Sequence, residues 1–462
     1  MALRQLLSYA HRDSAVAALA DAAANGGEPQ RAFVSASMRP YLLAALLDAE
    51  PDRPALVVAG DDRAARDLAA DLRAFLNPRP VRLYPARGVK YESHLAPPPH
   101  LVGLRVAALD ALIAATDGDA APDGAAVVVA SAEALAEKVP DPDLRPRGFT
   151  IEKGGLLDLE ETTEQLVACG YERVDQVEDR GQFALRGDIL DVYPATEERA
   201  VRCELFDVEV ERLSFFSTFT QRSLDEAEMV EIAPAAEIGP EYRELAEMAA
   251  HDSDEDRPDI AELLPVDRFC DVLSLLPDNA LVAIAAEEEV EPSLADYWQE
   301  VTTSFHDQDA HHLYLPPDEL RARLEERTQL KLSSISGDQP HTFRAQGADA
   351  SARSLKDAEP ELEKLVRSGY RTVVAWARRG EAERAAYNLV RVRANFLDGH
   401  PAPAEPGVVF ATANLRDGFL APGLKLAILP EHRLLRRRRA GDRDRRPTAA
   451  GKSAIASFTD LR

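Results

Sequence analysis

The sequence predicts an α/β protein: a parallel-sheet domain interrupted by a small strand-rich α+β insert, then a second, smaller α/β domain. Three observations predict it. Short apolar runs alternate with stretches of helical period as far as residue 131. Near residue 146 that alternation gives way to closely spaced strands. From about 233 it returns. Strands alternating with helices build parallel sheets covered on both faces, whereas closely spaced strands pair through hairpins.

The elements follow in order. AFVS (32–35) is the first strand, and Leu42, Leu43, Leu46 and Leu47 mark the helix after it. ALVVAG (55–60) reads as a buried strand; Ala65, Leu68, Leu72 and Phe75 then recur at helical spacing. PVRLYP (80–85) and AVVVAS (126–131) are strands flanking the apolar helix VGLRVAALDALIAA (102–115), and the opening stretch of the chain, ahead of the first strand, is a short amphipathic helix ending at Gly26-Gly27. In the insert, FTIEKGG (149–155) is a strand and turn, and Asp158 caps a helix to Ala168 that Gly170 stops. YERVDQV, GQFALRGDILDVYP and AVRCELFDVEVERLSFF supply its strands. Beyond 233, GPEYRELAEMA and IAELLP read as helical. NALVAIAAEEE (279–289) is a strand running into a solvated acidic loop, SLADYWQEVTTSF (293–305) a helix, and 336–352 a loop. A helix at 361–370, TVVAWA (372–377), the helix EAERAAYNLVRV, VVFATA (408–413) and LKLAILP (424–430) form the last unit. The expected divisions are 1–145 and 233–350 for the split domain, 146–232 for the insert, 351–430 for the last domain and 431–462 for a basic linker.

Composition narrows the function. A chain of 462 residues, 45% hydrophobic and 29% charged, is several globular domains. No stretch approaches the ~20 apolar residues of a membrane span, and no signal-peptide layout opens the chain, so no membrane partner and a cytoplasmic location are expected. Cys169, Cys203 and Cys270 form no CxxC pair and read as small buried hydrophobes. A net charge of −26 repels a phosphate backbone. The exception is Arg433–Arg446, which reads first as a solvated linker and second as a DNA or partner contact.

Catalytic parts are missing where the fold would hold them. A phosphate loop belongs after the first strand, but FVSASMRPYLL (33–43) has no glycine, and Pro40 removes an N–H donor. Gly451-Lys452-Ser453 has Arg446 where the motif's first glycine would stand, and Pro447 lies within the loop. Glu287–Glu289 read as solvent-facing rather than as metal ligands, and the histidines of HDQDAHH (306–312) match no zinc spacing. No catalytic, cofactor-binding or metal-binding residue is expected in this chain.

The insert differs. In AVRCELF, Val201, Cys203 and Leu205 alternate with Arg202, Glu204 and Phe206, so the second set shares a wet outer face. In FALRGDI, Phe183, Leu185 and Ile189 share a face and Arg186 points away. Two readings stay open from the pattern alone: ordinary surface, or an interface with arginine and aromatic anchors.

YERVDQVEDRGQFALRGDILDVYP and VRCELFDVEVERLSFFSTFTQRSL resemble the second domain shared by UvrB and the transcription-repair coupling factors. Arg186, Gly187, Asp191 and Pro194 carry one motif. Phe206, Asp207, Glu209 and Val210 carry the next, and Gln221–Leu224 the third. LYPARGVKYESHLAPPPHLVGLRVAAL and GFLAPGLKLAILPEHRLLRRRR (418–439) favour the coupling factors over UvrB. LYPARGVKYES departs from the family, which more often has a tryptophan-containing stretch there. The resemblance implies a UvrB-like, degenerate P-loop NTPase-like domain split by the insert. It also implies that Arg186, Arg202 and Phe206 bind UvrA, recruiting it to stalled RNA polymerase in nucleotide excision repair. In that family an ATP- and magnesium-dependent DNA translocase, with the contacts to RNA polymerase and double-stranded DNA, lies beyond Arg462, so the chain is expected to be an amino-terminal fragment. A UvrB-like ATPase or helicase subunit is the alternative.

Overall fold

The computed structural model describes residues 3–25, 28–93, 95–116, 123–240, 242, 263–305, 310–348, 352, 354–397 and 401–435. Gly26-Gly27, the helical expectations across 243–262, His306, most of Arg433–Arg446 and Gly451-Lys452-Ser453 lie outside the described residues. The chain divides into two compact units, one spanning Leu6–Arg344 and one holding the residues from Ala345 onward.

After two helices, Leu7–His11 and Ser14–Asn25, the first unit runs through β1 (Gln30–Val34), α1 (Arg39–Ala49), β2 (Ala55–Ala59), α2 (Asp62–Leu76), β3 (Val81–Tyr84), α3 (Pro99–Thr116) and β4 (Val127–Ser131). Every residue of β2 and β4 is buried. Both faces of these strands are covered, which explains continuous apolar runs in place of alternation. Asp61 caps α2 by accepting from the Ala64 N–H, and Ala65, Leu68, Leu72 and Phe75 turn inward.

The insert begins with Phe149–Glu152, paired antiparallel with Met229–Ile232. Asp158 caps α4 (Leu159–Ala168) by accepting from the N–H groups of Glu160 and Glu161. Gly170, at φ +90, ends the turn. A six-stranded sheet follows: β5 (Glu172–Arg173), β6 (Gln182–Arg186), β7 (Ile189–Val192), β8 (Ala200–Phe206), β9 (Glu209–Phe216) and β10 (Ser223–Glu226). Its spatial order is β10-β9-β8-β7-β6-β5, antiparallel apart from the β5–β6 pair. Leu166 of α4 packs with Phe183, Leu190, Cys203 and Leu213 in a core of its own. Cys169 and Cys203 are buried and Cys270 half-buried; all three are free thiols.

The chain then returns to the first sheet with β11 (Leu281–Ile284), α5 (Glu287–Phe305), α6 (Pro317–Arg327), β12 (Thr328–Ser333) and β13 (His341–Phe343). The completed sheet runs β13-β1-β12-β11-β2-β4-β3, all parallel. On one face Leu56, Val58, Val128, Val282 and Ile284 pack with Leu109 and Leu112 of α3, Leu294 of α5 and Leu320 and Leu324 of α6. Two local expectations fail here. The acidic loop is the first turn of α5, where carboxylates complement the positive end of the helix. The loop at 336–352 contains β13, whose three residues are too few to show a period.

The second unit contains β14 (Gln346–Gly347), α7 (Leu355–Arg367), β15 (Arg371–Trp376), α8 (Arg379–Asn388), β16 (Ala394–Phe396), β17 (Gly407–Thr412), β18 (Phe419–Ala421) and β19 (Leu426–Pro430). Its sheet order is β14-β18-β19-β15-β17-β16, with β19, β15, β17 and β16 parallel. α8 stops at Asn388, earlier than expected, because buried Glu359 accepts from the N–H groups of Val390, Arg391 and Val392. Among the described residues no helix is long and apolar enough to cross a membrane.

Candidate partner-binding site

The outer face of the insert sheet is set by two tight hairpins. Arg186 pairs with Ile189, leaving Gly187-Asp188 as a two-residue turn with Gly187 at φ +61. A glycine at the first turn position suits the twist of the strands it joins. This register puts Leu185 opposite Leu190, so Leu190 takes the core side. Ile189 shares the face of Arg186, a correction to the expected grouping with Phe183 and Leu185. The second turn is Asp207-Val208, with Asp207 at φ +62.

Along β8, Val201, Cys203 and Leu205 are buried, while Arg202 and Glu204 are half-buried and Phe206 exposed. The face is drier than its charges suggest. Val177, Ala184, Ala200 and Phe216 form a second small core on it, which lowers exposure near Arg202.

At the centre stands Asp191, 1% exposed, directly between Ala184 and Arg202 across the strands. Arg202 grips it with two bonds, Nε to Oδ1 at 2.7 Å and Nη2 to Oδ2 at 2.8 Å. Arg186 donates Nη2 to Oδ2 at 2.8 Å. A buried carboxylate needs such partners, and a bidentate guanidinium is the strongest available. The hydrogen bond to Asp191 raises the Arg202 pKa above its usual value, against burial. The guanidinium also lies 4.6 Å over the Phe216 ring. On its far side, Nη1 donates to the Gln221 carbonyl at 3.3 Å and Nη2 reaches Gln221 Oε1 at 3.5 Å.

The structure therefore joins Arg186 and Arg202 through one carboxylate and leaves Phe206 farther along the strand. Phe206 is 73% exposed, with exposed Val208 and Leu156 beside the same hairpin. Glu209, the cross-strand partner of Phe206, bridges to Leu156, and Leu157 N–H donates to the Val208 carbonyl. Sequence reasoning missed the parts played by Asp191 and Gln221. The signal for Asp191 was its place as the one charged residue in the apolar strand ILDV, since a buried acid is almost always paired.

A second arginine–carboxylate cluster lies inside the first unit, beyond the ends of β3 and β4. Arg105 of α3, 1% exposed, donates Nε to Glu237 Oε1 at 2.6 Å and Nη1 to Glu137 Oε2 at 2.7 Å. Arg87 Nε donates to Glu237 Oε2 at 2.6 Å, its backbone N–H donates to Glu137, and its guanidinium stacks 3.9 Å from the Tyr91 centroid. The Tyr297 hydroxyl donates to Glu137 at 2.8 Å. Burial alone would raise the Glu237 pKa, but Arg105 and Arg87 outweigh it and hold the group below its usual range.

Where a phosphate loop would follow β1, Arg39 is paired with Glu288 at 3.4 Å and Glu289 at 3.7 Å. Glu288 also accepts from the Ser334 N–H at 3.0 Å and from its hydroxyl. Glu287 pairs with Arg31 and Lys331. These carboxylates are committed to cations, not loose in solvent as expected.

Residues 149–238 match the family model described as the UvrB interaction domain. The whole chain is similar to transcription-repair-coupling factors. It is 25% identical to that of Bacillus subtilis over 93% of this chain and 40% of the relative. It is 35% identical to that of Myxococcus xanthus over 43% of this chain and 17% of the relative. The UvrABC system protein B of Yersinia enterocolitica is 32% identical over 37% of this chain and 27% of that protein. The chain thus spans about 40% of the length of the Bacillus relative. The matched residues include Arg186, Asp191, Arg202 and Phe206.

Proposed function

We propose that this chain is the recruiting part of a transcription-repair coupling factor, and that its UvrB interaction domain binds UvrA. The observation that carries the reading is the outer face of that domain: Phe206 exposed at a hairpin tip, with Arg186 and Arg202 fixed by Asp191 nearby. Aromatic and arginine side chains on a rigid scaffold are the usual anchors of protein interfaces. Arg186 keeps half of its side chain open to a partner, whereas Arg202 is mostly enclosed. Arg186 and Phe206 then make the direct contacts, and Arg202 supports both.

The remainder of such a protein would supply the ATP- and magnesium-dependent motor and the contacts to RNA polymerase and double-stranded DNA, all in the cytoplasm. Capture of purified UvrA by the chain tests the reading. Binding is expected for the natural chain and loss for Phe206→Ala. Equal capture of both would overturn it.

The similarity to the UvrABC system protein B favours a second reading, an ATP-binding subunit. Arg39 paired with Glu288 at the phosphate position weighs against it, since the cation that would meet phosphate already has a carboxylate. Calorimetry with ATP and magnesium separates the two, and measurable heat of binding would favour the second.

A further inference from the structure

The loop joining β9 to β10 carries Phe219, 95% exposed. The loop is held on every side. Ser217 N–H donates to the Arg222 carbonyl at 3.0 Å, and Gln221 N–H to the Ser217 carbonyl at 2.7 Å. The Thr220 N–H donates to Ser217 Oγ at 3.2 Å, and Gln221 Nε2 to the Thr218 carbonyl at 2.6 Å. Gln221 takes φ +58, a conformation costly for a residue with a Cβ unless its surroundings impose it. Those surroundings are Arg202, which takes both the carbonyl and the side-chain oxygen of Gln221. A phenylalanine at the apex of a loop this constrained stays in water at an energetic cost with no internal return.

From these contacts we infer that Phe219 is a second anchor for the same partner, presented by a loop that Arg202 positions. The inference rests on the recruiting role proposed above. Arg202 reaches Asp191, which it shares with Arg186, on one side and the Phe219 loop on the other. Phe206 stands four residues along β8 from Arg202, roughly 13 Å at the rise of a strand. The Phe219 loop follows Phe216, which pairs with Ala200 at the opposite end of β8 from Phe206, so the two phenylalanines belong to opposite ends of the strand that carries Arg202. The seven residues of β8, roughly 20 Å at the rise of a strand, fit within one face of a standard protein interface, which covers about 800 Å² per partner. A rigid aromatic loses little freedom on docking, which is what an anchor needs.

The test is the affinity of the full chain for purified UvrA, measured by interferometry on four variants: Phe206→Ala, Phe219→Ala, Gln221→Ala and Phe219→Ala with Gln221→Ala. Phe219→Ala is expected to weaken binding about tenfold or more, the range of interface anchors, with an unchanged melting temperature. In the Gln221→Ala background, which removes the bond to the Thr218 carbonyl and the side-chain contact with Arg202, the same substitution is expected to cost less, because the loop holds the ring less firmly. Gln221→Ala leaves the Asp191–Arg202 pair intact, so this readout does not depend on disturbing the fold. Full binding by Phe219→Ala alongside weakened binding by Phe206→Ala overturns the second anchor and leaves recruitment standing. Full binding by both overturns recruitment as well. Equal losses from Phe219→Ala in the two backgrounds overturn positioning of the ring through the Gln221 side chain.

Discussion

Two arginine–carboxylate clusters in the first unit use the same chemistry at different depths. In the insert, Asp191 is buried but Arg186 is half open and Arg202 stands at the edge of a small core. In the split domain, Arg105, Arg87, Glu137 and Glu237 are all enclosed. Depth decides what each can do. Enclosed charges have given up their water and must keep their partners, so the inner cluster acts as a lock. The outer cluster shows one side to solvent, so it can brace a surface that meets another protein.

The lock gives the largest expected effect. Arg105→Ala removes the cation that Glu137 and Glu237 share, leaving them only Arg87 and the Tyr297 hydroxyl, and should cost about 3–5 kcal/mol in denaturant unfolding, the range for breaking a buried pair. A cost below about 1 kcal/mol would erase the contrast. Binding is the next in size: Phe206→Ala should weaken UvrA capture by about 2 kcal/mol while unfolding stays unchanged, because the ring contributes to no core. Asp191→Asn should cost about 1–3 kcal/mol of stability by weakening both arginine contacts, and should also weaken binding. If stability fell with binding intact, the outer cluster would be only another lock.

Glu133 sharpens the comparison as a carboxylate with acids for neighbours. Burial, then Asp62 and Asp61, push its pKa up to about 7. Its folded value lies above the unfolded one of 4.5, so folding takes up a proton between those values. The protein should therefore gain stability as pH falls from above 7 towards 4.5, through this group. Glu133→Gln should stabilise at pH 8 by about 1 kcal/mol after allowance for solvent screening, and by nearly nothing at pH 4.5. An equal effect at both pH values would assign the gain to packing instead. The smallest effect belongs to the exposed pair of Arg199 and Asp225, where Arg199→Ala should change stability by less than about 0.5 kcal/mol.

Much of this fold is legible in the sequence because its strands are either fully buried or cleanly alternating. ALVVA and VVVAS announce a covered parallel sheet, and AVRCELF alternates as period two requires. Asp158 and Gly170 mark the two ends of α4 by side-chain and backbone chemistry alone. Ile189 was misplaced because one turn residue more or less swaps faces, and only the Gly187-Asp188 geometry fixes that count. The early end of α8 depends on Glu359, far away in sequence, capturing three N–H groups. In the site, the outward set was readable, but the bond between its two arginines was not. That bond runs through Asp191, and pairing across strands is a property of register rather than of composition.

The strand order of the large sheet also fixes a sequence of events. β1 and β2 are not neighbours: β12 and β11 lie between them. Chain growing from its amino terminus holds the outer pieces of this sheet before the pieces that join them exist. The intervening insert has its own core and is complete by Ile238, before β11 emerges. During synthesis the insert can thus be finished while the sheet that carries it still waits for Ser333, with β1 and α1 carrying apolar faces in search of cover. A partner able to bind the insert could meet a nascent chain whose mount is not yet built.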